Sequence, residues 1–156
     1  MLLAAIVLGA VPRAVTAQEI SAAEQSLAPA AVQIRIGALL ASSEGGGVDP
    51  RLVSMRPQLG RLFPHYSSYQ LLNQSSHQVE WGQRVRLDIP GDRYILVIPK
   101  RLKDDRVSMR VIMVAGRRPL MHTALSLKSG ATLLVGGPRD EQGSVLIVAI
   151  EADPVR

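Results

Sequence analysis

The sequence contains no cysteine. This absence excludes disulfide bonds, a thiol nucleophile, cysteine-ligated zinc, iron–sulfur clusters and a lipid anchor on cysteine. Burial of apolar side chains must therefore stabilise the fold without covalent cross-links, and a chain of 156 residues is long enough for that.

Aromatic side chains are scarce, since one Trp, three Tyr and one Phe make up only 3% of the chain. The core must be built from Leu, Val, Ile and Met, and the 47% of hydrophobic residues is typical of a folded domain. The formal net charge of +5 is far from the dense basic stripe of nucleic-acid-binding domains, so we expect no nucleic-acid partner.

The first apolar run, Leu2–Val11, is too short to span a bilayer, which takes about 20 residues. Pro12 follows it, and Val15-Thr16-Ala17 then places small residues where signal peptidase accepts them. These features predict a signal peptide over residues 1–17, cleaved before Gln18, although no Lys or Arg precedes the run. The expected location is then the periplasm or cell envelope. A short buried helix or a membrane anchor is the alternative interpretation.

The rest of the chain divides into a leader and one domain. Residues 18–31 are rich in Ala, Ser and Gln, which predicts a flexible leader. Residues 32–152 then form a single β-rich domain, and the alternation over Val32–Leu40 predicts its first strand, with one buried face.

A short amphipathic helix should follow this strand. Asp49-Pro50 is a helix start, because Asp caps free N–H groups and Pro fits the first turn. Pro57 should kink the helix or divide it, and Pro64 should end it. Apolar residues then share one helical face, at Leu52, Met55, Leu59, Leu62 and Phe63.

Turn signals recur about every ten residues in the remainder, which is typical of an antiparallel β domain. They separate predicted strands at Tyr66–Leu72, Val85–Ile89, Tyr94–Ile98, Val107–Met113, Leu120–Leu127, Thr132–Val135 and Ser144–Glu151, with a charged hairpin loop at Lys100–Arg106. Several strands are apolar on both faces and need cover on both. The predicted fold class is therefore α+β, mainly antiparallel β: a two-layer β-sandwich or meander with one short amphipathic helix after the first strand, covering one opening.

No motif in the sequence points to catalysis. The three histidines are too far apart to form a metal-binding pair, and no serine lies in a Gly-x-Ser-x-Gly elbow. The loop Gly45-Gly46-Gly47 continues into Val48-Asp49 rather than the Gly-Lys-Ser/Thr of a phosphate-binding loop, so we interpret it as a connector. We expect no catalytic residue, metal or cofactor, and regard a hydrolase as the less favoured alternative.

Most of the aromatic residues cluster where the helix meets the next strand. Phe63, His65, Tyr66 and Tyr69 are the candidate partner-binding residues, because Tyr combines contact area with hydrogen bonding. The alternative is an anchoring corner in which Phe63 and Tyr69 pack into the core.

Basic residues are concentrated on the hairpins. On adjacent strands they could form a patch for anionic polysaccharide or lipid headgroups; the alternative is solvated strand edges that deter aggregation. The candidate anion-binding residues are Arg84, Arg86, Lys100, Arg101, Arg117 and Arg118, with Lys103, Arg106 and Arg110 in the same group.

The order of these signals resembles a group of small exported proteins of Gram-negative bacteria without an established activity. The resemblance rests on Ala-Leu-Leu-Ala-Ser, Val-Asp-Pro-Arg-Leu, Leu-Gly-Arg-Leu-Phe-Pro-His-Tyr-Ser-Ser-Tyr-Gln-Leu-Leu and Gly-Ala-Thr-Leu-Leu-Val-Gly-Gly-Pro, and covers most of Val32–Ala152. The last of these segments is also similar to hairpins of the outer-membrane secretin family. The resemblance to exported proteins implies a location outside the cytoplasm and a β fold, and the similarity to secretin hairpins implies an accessory or borrowed domain of a larger envelope or secretion assembly.

We therefore expect a non-enzymatic interaction or structural module that contacts a larger envelope protein through a sheet edge or an apolar surface. The alternative is a module that binds anionic polysaccharide or lipid.

Overall fold

The computed structural model describes residues 29–155. The predicted signal peptide and most of the predicted leader lie outside these residues. The described chain contains β1 (Ala31–Ser42), β2 (Gly47–Val48), a 3₁₀ helix (Pro50–Met55), α1 (Arg56–Leu62), β3 (Ser68–Glu80), β4 (Val85–Ile89), β5 (Arg93–Lys103), β6 (Arg106–Ala115), β7 (Arg118–Lys128), β8 (Thr132–Arg139) and β9 (Val145–Val155).

The strands form two sheets packed face to face. The five-stranded sheet has the order β2-β3-β1-β9-β8, and the four-stranded sheet is the meander β4-β5-β6-β7. All the pairings are antiparallel except the short one between β2 and β3. This arrangement confirms the predicted fold class, including the single short helix after the first strand.

The main core lies between the two sheets. Alternate residues of β1, namely Val32, Ile34 and Ile36, are at most 1% exposed and face the four-stranded sheet. They meet a matching layer of side chains from that sheet, which includes Val97, Val107, Met109, Val111 and Met113. The period-two pattern of the sequence therefore identifies the buried face correctly.

A second core lies on the opposite, outer face of the five-stranded sheet. Residues 145–150 of β9 are buried on both faces, because the helical segment covers the outer one. Leu52 and Leu59 pack there against Leu39, Leu71 and Ile147. The helical segment thus covers a sheet face, and the expectation that it covers an opening of the sandwich was wrong. One member of its predicted apolar stripe lies outside this core, since Leu62 is 51% exposed, whereas Phe63 packs against it.

The helical segment is divided as the prolines predict. The 3₁₀ helix begins after Asp49, whose carboxylate accepts from the backbone N–H of Arg51 at 3.0 Å. The α-helix begins at Arg56, with Pro57 in its first turn, where the missing N–H is tolerated.

Several strands extend further than the sequence patterns indicate, β3, β5 and β6 among them. The predicted loop at Lys100–Arg106 is instead the continuation of β5 and β6, joined by a two-residue turn at Asp104-Asp105. Both Asp residues have positive φ angles, 50° and 58°, which suits a tight hairpin. β3 runs to Glu80, eight residues beyond its predicted end, through polar residues without clear alternation.

The two glycines near the end of β8 are required by packing. A Cβ on Gly136 would lie 3.1 Å from the Phe63 ring, and one on Gly137 would lie 2.9 Å from the Met113 methyl group. Phe63 and Met113 therefore both approach the backbone of β8, and larger residues there would displace them.

Candidate functional site

Tyr69 holds the corner where the helix meets β3. Its side chain is 5% exposed, and its hydroxyl lies 2.8 Å from the carbonyl oxygen of Phe63 and 3.2 Å from that of Tyr66. The Leu59 carbonyl oxygen is 3.4 Å away. Burial raises the pKa of the Tyr69 hydroxyl, which keeps its proton available for these carbonyls.

The four candidate partner-binding residues are therefore divided between interior and surface. Tyr69 is buried, and Phe63 is half-buried against Gly136, so these two anchor the corner. His65 is exposed and Tyr66 half-buried, which leaves them as the members that a partner can reach.

β3 continues from this corner as an edge of the five-stranded sheet. It pairs with β1 along its whole length, but on its other side β2 pairs only with Ser68 and Tyr69. Within residues 29–155 the edge from Asn73 to Glu80 has no strand partner. Most of the side chains along it are exposed.

The beginning of this edge is closed by Asp49 and Arg51. The Leu71 N–H donates to the Asp49 carboxylate at 3.3 Å, and the Arg51 guanidinium donates to the Leu71 carbonyl at 3.3 Å. The two side chains are also paired with each other at 2.7 Å. They occupy the backbone groups that a neighbouring strand would otherwise use, so the open edge begins after Leu71.

The open edge has neither charged side chains before Glu80 nor proline, although a register irregularity at Leu72 marks its beginning. No Asp, Glu, Lys or Arg occurs between Arg61 and Glu80, and β3 contains no proline. Charged side chains and proline are what natural edge strands use to prevent pairing with another chain. Ser75, in the middle of this edge, carries a buried hydroxyl oxygen that has no hydrogen-bond partner among the described residues.

A groove of about 430 Å³ lies beside the 3₁₀ helix on the outer face of the five-stranded sheet. Its floor is apolar, and Arg35 on its rim donates to Glu151 at 2.7 Å. Thr132 also donates to Glu151 at 2.7 Å. These bonds, that of Thr132 first, lower the pKa of Glu151, so this carboxylate serves as an ion-pair partner rather than a proton donor.

The outer face of the four-stranded sheet carries most of the basic hairpin residues. Strand register places six cations on it, and we call this surface the cationic face: Arg86, Arg101, Lys103, Arg106, Arg110 and Lys128. Lys103, Arg106 and Lys128 lie directly opposite one another on β5, β6 and β7. Arg86 is paired with Asp88 at 2.7 Å and lies 3.8 Å from the centroid of the Tyr94 ring.

The candidate anion-binding residues do not form one patch. Arg86 and Arg101 belong to the cationic face, Arg84 is exposed just before β4, and Lys100 occupies an irregularity between Pro99 and Arg101. Arg117 and Arg118 lie at the opposite end of the sheet, beside Ala115. At about 3.3 Å per residue, that end is roughly 30 Å from Arg106.

Sequence reasoning missed Lys128 and gave no special weight to Lys103 and Arg106. The signal that identifies their row is the two-residue turn Asp104-Asp105, which fixes Lys103 opposite Arg106. The sequence pattern predicts a charged loop for the whole segment, and a loop has no strand register.

The architecture places the chain among mainly antiparallel β-sandwich proteins. Among residues 29–155, no group of three or more His, Asp or Glu side chains is positioned to hold a metal ion. No helix in the described part of the chain is long and apolar enough to cross a membrane. Comparison with protein-family models finds no match, and comparison with curated proteins finds none either.

Proposed function

We propose that this chain is a non-enzymatic interaction module, exported to the periplasm or cell envelope, that binds a larger envelope protein. The partner contributes an extended strand, which adds to the five-stranded sheet along β3 from Asn73 to Glu80. Main-chain hydrogen bonds supply the affinity in this mode, and the alternate side chains supply the specificity.

The observation that carries the proposal is the open, uncharged edge of β3. A strand added beyond β3 would find no strand already paired there and no charged side chain before Glu80. Along this edge, the backbone N–H groups of Gln74 and Glu80 donate to the side chains of Asn73 and Gln83, and an added strand would replace those two bonds. Such an edge promotes pairing with another chain unless its own partner covers it. The pair of Asp49 and Arg51 defines where the added strand must stop.

The ionised state of the paired carboxylates argues against their acting as general acids. Glu151 and Asp49 both have pKa values below their usual range, because hydrogen bonds from Thr132 and Arg51 favour the charged forms. General acid catalysis near neutral pH needs the opposite shift.

The location within the envelope rests on the N-terminal features and on the resemblance of the chain to small exported proteins. The similarity of its last hairpin to secretin hairpins favours a place beside a larger envelope or secretion assembly.

The test is site-specific photo-crosslinking of the full chain in Gram-negative cells. A photoreactive amino acid replaces His77 on the open edge, and in a matched variant it replaces Ser54 on the 3₁₀ helix; both positions are exposed. We expect a defined adduct in the periplasmic or envelope fraction from position 77 and not from position 54. The crosslinked chain should begin at Gln18.

Charge on the edge provides the specificity control. Q74K/Q78K adds two lysines to exposed positions of β3, whereas S54K/Q142K adds two lysines elsewhere. The edge variant should lose the adduct and the matched variant should keep it. Equal adducts in both variants, an adduct from position 54 alone, or recovery in the cytoplasm would overturn the proposal. An adduct between two copies of this chain would replace the larger partner with a dimer.

A further inference from the structure

The row formed by Lys103, Arg106 and Lys128 is an unusual arrangement of charge. The three residues are directly opposite one another on three adjacent strands, which lie about 4.8 Å apart. Like charges in directly opposed positions destabilise a sheet. Within residues 29–155, none of the three makes an ion pair shorter than 4.0 Å.

Two neighbouring rows extend the positive charge along the same face. Arg101 lies opposite Ser108, and Arg110 lies between Ile98 and Ala124. Arg106 is held across β7, because its guanidinium donates to the Ser126 hydroxyl at 3.2 Å and to the Ser126 carbonyl at 2.8 Å. The acidic residues nearest to this end in sequence are Asp104 and Asp105, in the turn beyond the row.

Apolar side chains share this face with the cations. The next rows contain Leu96 opposite Ile112 and Tyr94 opposite Val114, all on the side away from the sandwich core. Leu96 and Ile112 are half-buried, so part of each side chain is open to solvent. The face is thus cationic at one end, and in its middle Leu96 and Ile112 lie in a row between Arg86 and His122.

We propose that the cationic face binds the phosphate groups of an anionic phospholipid bilayer. The row of Lys103, Arg106 and Lys128 contacts the phosphates, and Arg101 and Arg110 contact neighbouring headgroups. This inference uses the opposite side of the sandwich from the groove and does not depend on strand addition at β3.

Two observations favour a bilayer over a soluble polyanion. The face is an open sheet surface rather than a groove that would enclose a polymer. The exposed parts of Leu96 and Ile112 would be buried at the boundary between headgroups and acyl chains, which is favourable. A soluble polyanion would leave them in water.

The test is sedimentation of the full chain with vesicles of two compositions, phosphatidylcholine alone and an equimolar mixture with phosphatidylglycerol. The phosphatidylcholine vesicles measure the binding that does not depend on anionic lipid, and this binding should be the same for every variant. Each cation near an anionic surface contributes roughly fivefold in affinity. The variant K103Q/R106Q/K128Q should therefore lose on the order of 100-fold in affinity for the mixed vesicles.

The matched control is R56Q/R61Q/R139Q, which removes the same charge from exposed positions outside the cationic face. It should bind the mixed vesicles within about twofold of the wild-type chain, as should K103R/K128R, which keeps the charge. Thermal unfolding confirms that each variant is folded. Binding should fall steeply between 50 and 300 mM salt.

Three results would overturn the proposal. The first is equal loss of binding in the two triple variants, which would assign the effect to net charge alone. The second is equal binding of the wild-type chain to both vesicle compositions. The third is tight binding of soluble polyphosphate or anionic polysaccharide without binding to the mixed vesicles, which would make the ligand a soluble polyanion.

Discussion

A single oxygen atom organises the corner between the helix and β3. The Tyr69 hydroxyl lies within 3.4 Å of three carbonyl oxygens, those of Leu59, Phe63 and Tyr66. The Leu59 and Phe63 carbonyls already accept from the N–H groups of Phe63 and Tyr66, so the Tyr69 hydroxyl is a second donor where α1 ends. Tyr69, which the sequence indicates as a candidate partner-binding residue, therefore supports the backbone at the end of α1.

Replacing Tyr69 by Phe tests this role. The ring remains buried but the carbonyl oxygens lose their shared donor, so we expect a loss of about 1 kcal/mol in the free energy of unfolding. Urea denaturation measures it. Tyr94→Phe, which alters a half-buried ring on another surface, should change stability by less than about 0.5 kcal/mol. Equal effects in the two variants would remove the special role of the Tyr69 hydroxyl.

Asp49 has a comparable role at the start of the open edge. Its carboxylate accepts from the Arg51 guanidinium, the Arg51 N–H and the Leu71 N–H. The hydrogen bond from the Arg51 side chain is the main reason why the pKa of Asp49 lies well below its usual value of 3.8.

This lowered pKa predicts a pH-dependent contribution of Asp49 to stability. Because the folded state favours the carboxylate, the contribution is complete above about pH 5 and decreases as pH falls towards the folded-state pKa. The stability difference between wild type and Asp49→Asn should therefore narrow between pH 4 and pH 2.5, as measured by urea denaturation. Glu44→Gln removes a nearby exposed carboxylate and serves as the reference. A constant difference for Asp49→Asn from pH 7 to pH 2.5 would contradict the assignment.

At the scale of elements, strand register determines which charges meet. The tight turn at Asp104-Asp105 places Lys103 opposite Arg106, and the pairing of β6 with β7 adds Lys128. A shift of one residue would send these side chains to the other face of the sheet. The cationic row is therefore a consequence of turn geometry as much as of composition.

Lys128→Glu tests whether repulsion within the cationic row destabilises the sheet. The substitution replaces a repulsive cross-strand pair with an attractive one beside Arg106, so we expect the free energy of unfolding to rise by roughly 0.2–1 kcal/mol. Thermal unfolding at low salt measures the change, and added salt should reduce it. Lys100→Glu, outside the row, should have a smaller effect. A lower melting temperature for Lys128→Glu would show that the row is not a source of strain.

The helix and the first strand were predictable because their patterns are periodic and bounded by clear signals. Val32, Ile34 and Ile36 alternate as a buried strand face does, and Asp49-Pro50 marks the helix start. The length of β3 was not predictable, since Asn73 to Gln78 contains no apolar residue to show a face. Pairing with β1 makes this segment a strand.

At the scale of the whole molecule, the chain places β1 and β9 in the middle of the five-stranded sheet. The last strand therefore pairs beside the first, and residues 145–150 are covered by the four-stranded sheet on one side and by the helical segment on the other. The apolar content of β9 predicts burial on both faces. It does not indicate that a helix provides half of the cover.

The candidate sites, like the fold, were only partly predictable from the sequence. Composition and spacing were enough to single out the aromatic corner and the basic hairpins, because those residue types are evident in the sequence. Whether Tyr69 points inwards, and whether Arg101 and Arg117 share a surface, depends on contacts between segments distant in the chain.

The sequence by itself determined the mainly antiparallel β class, the place of the helix in the chain and the buried face of β1, because local periodicity and turn chemistry act over a few residues. Only the tertiary structure decided that β3 is an open edge, that the helical segment lies on a sheet face and that three cations align in one row. Those features arise from strand order and register, which are set by packing between segments far apart in the sequence.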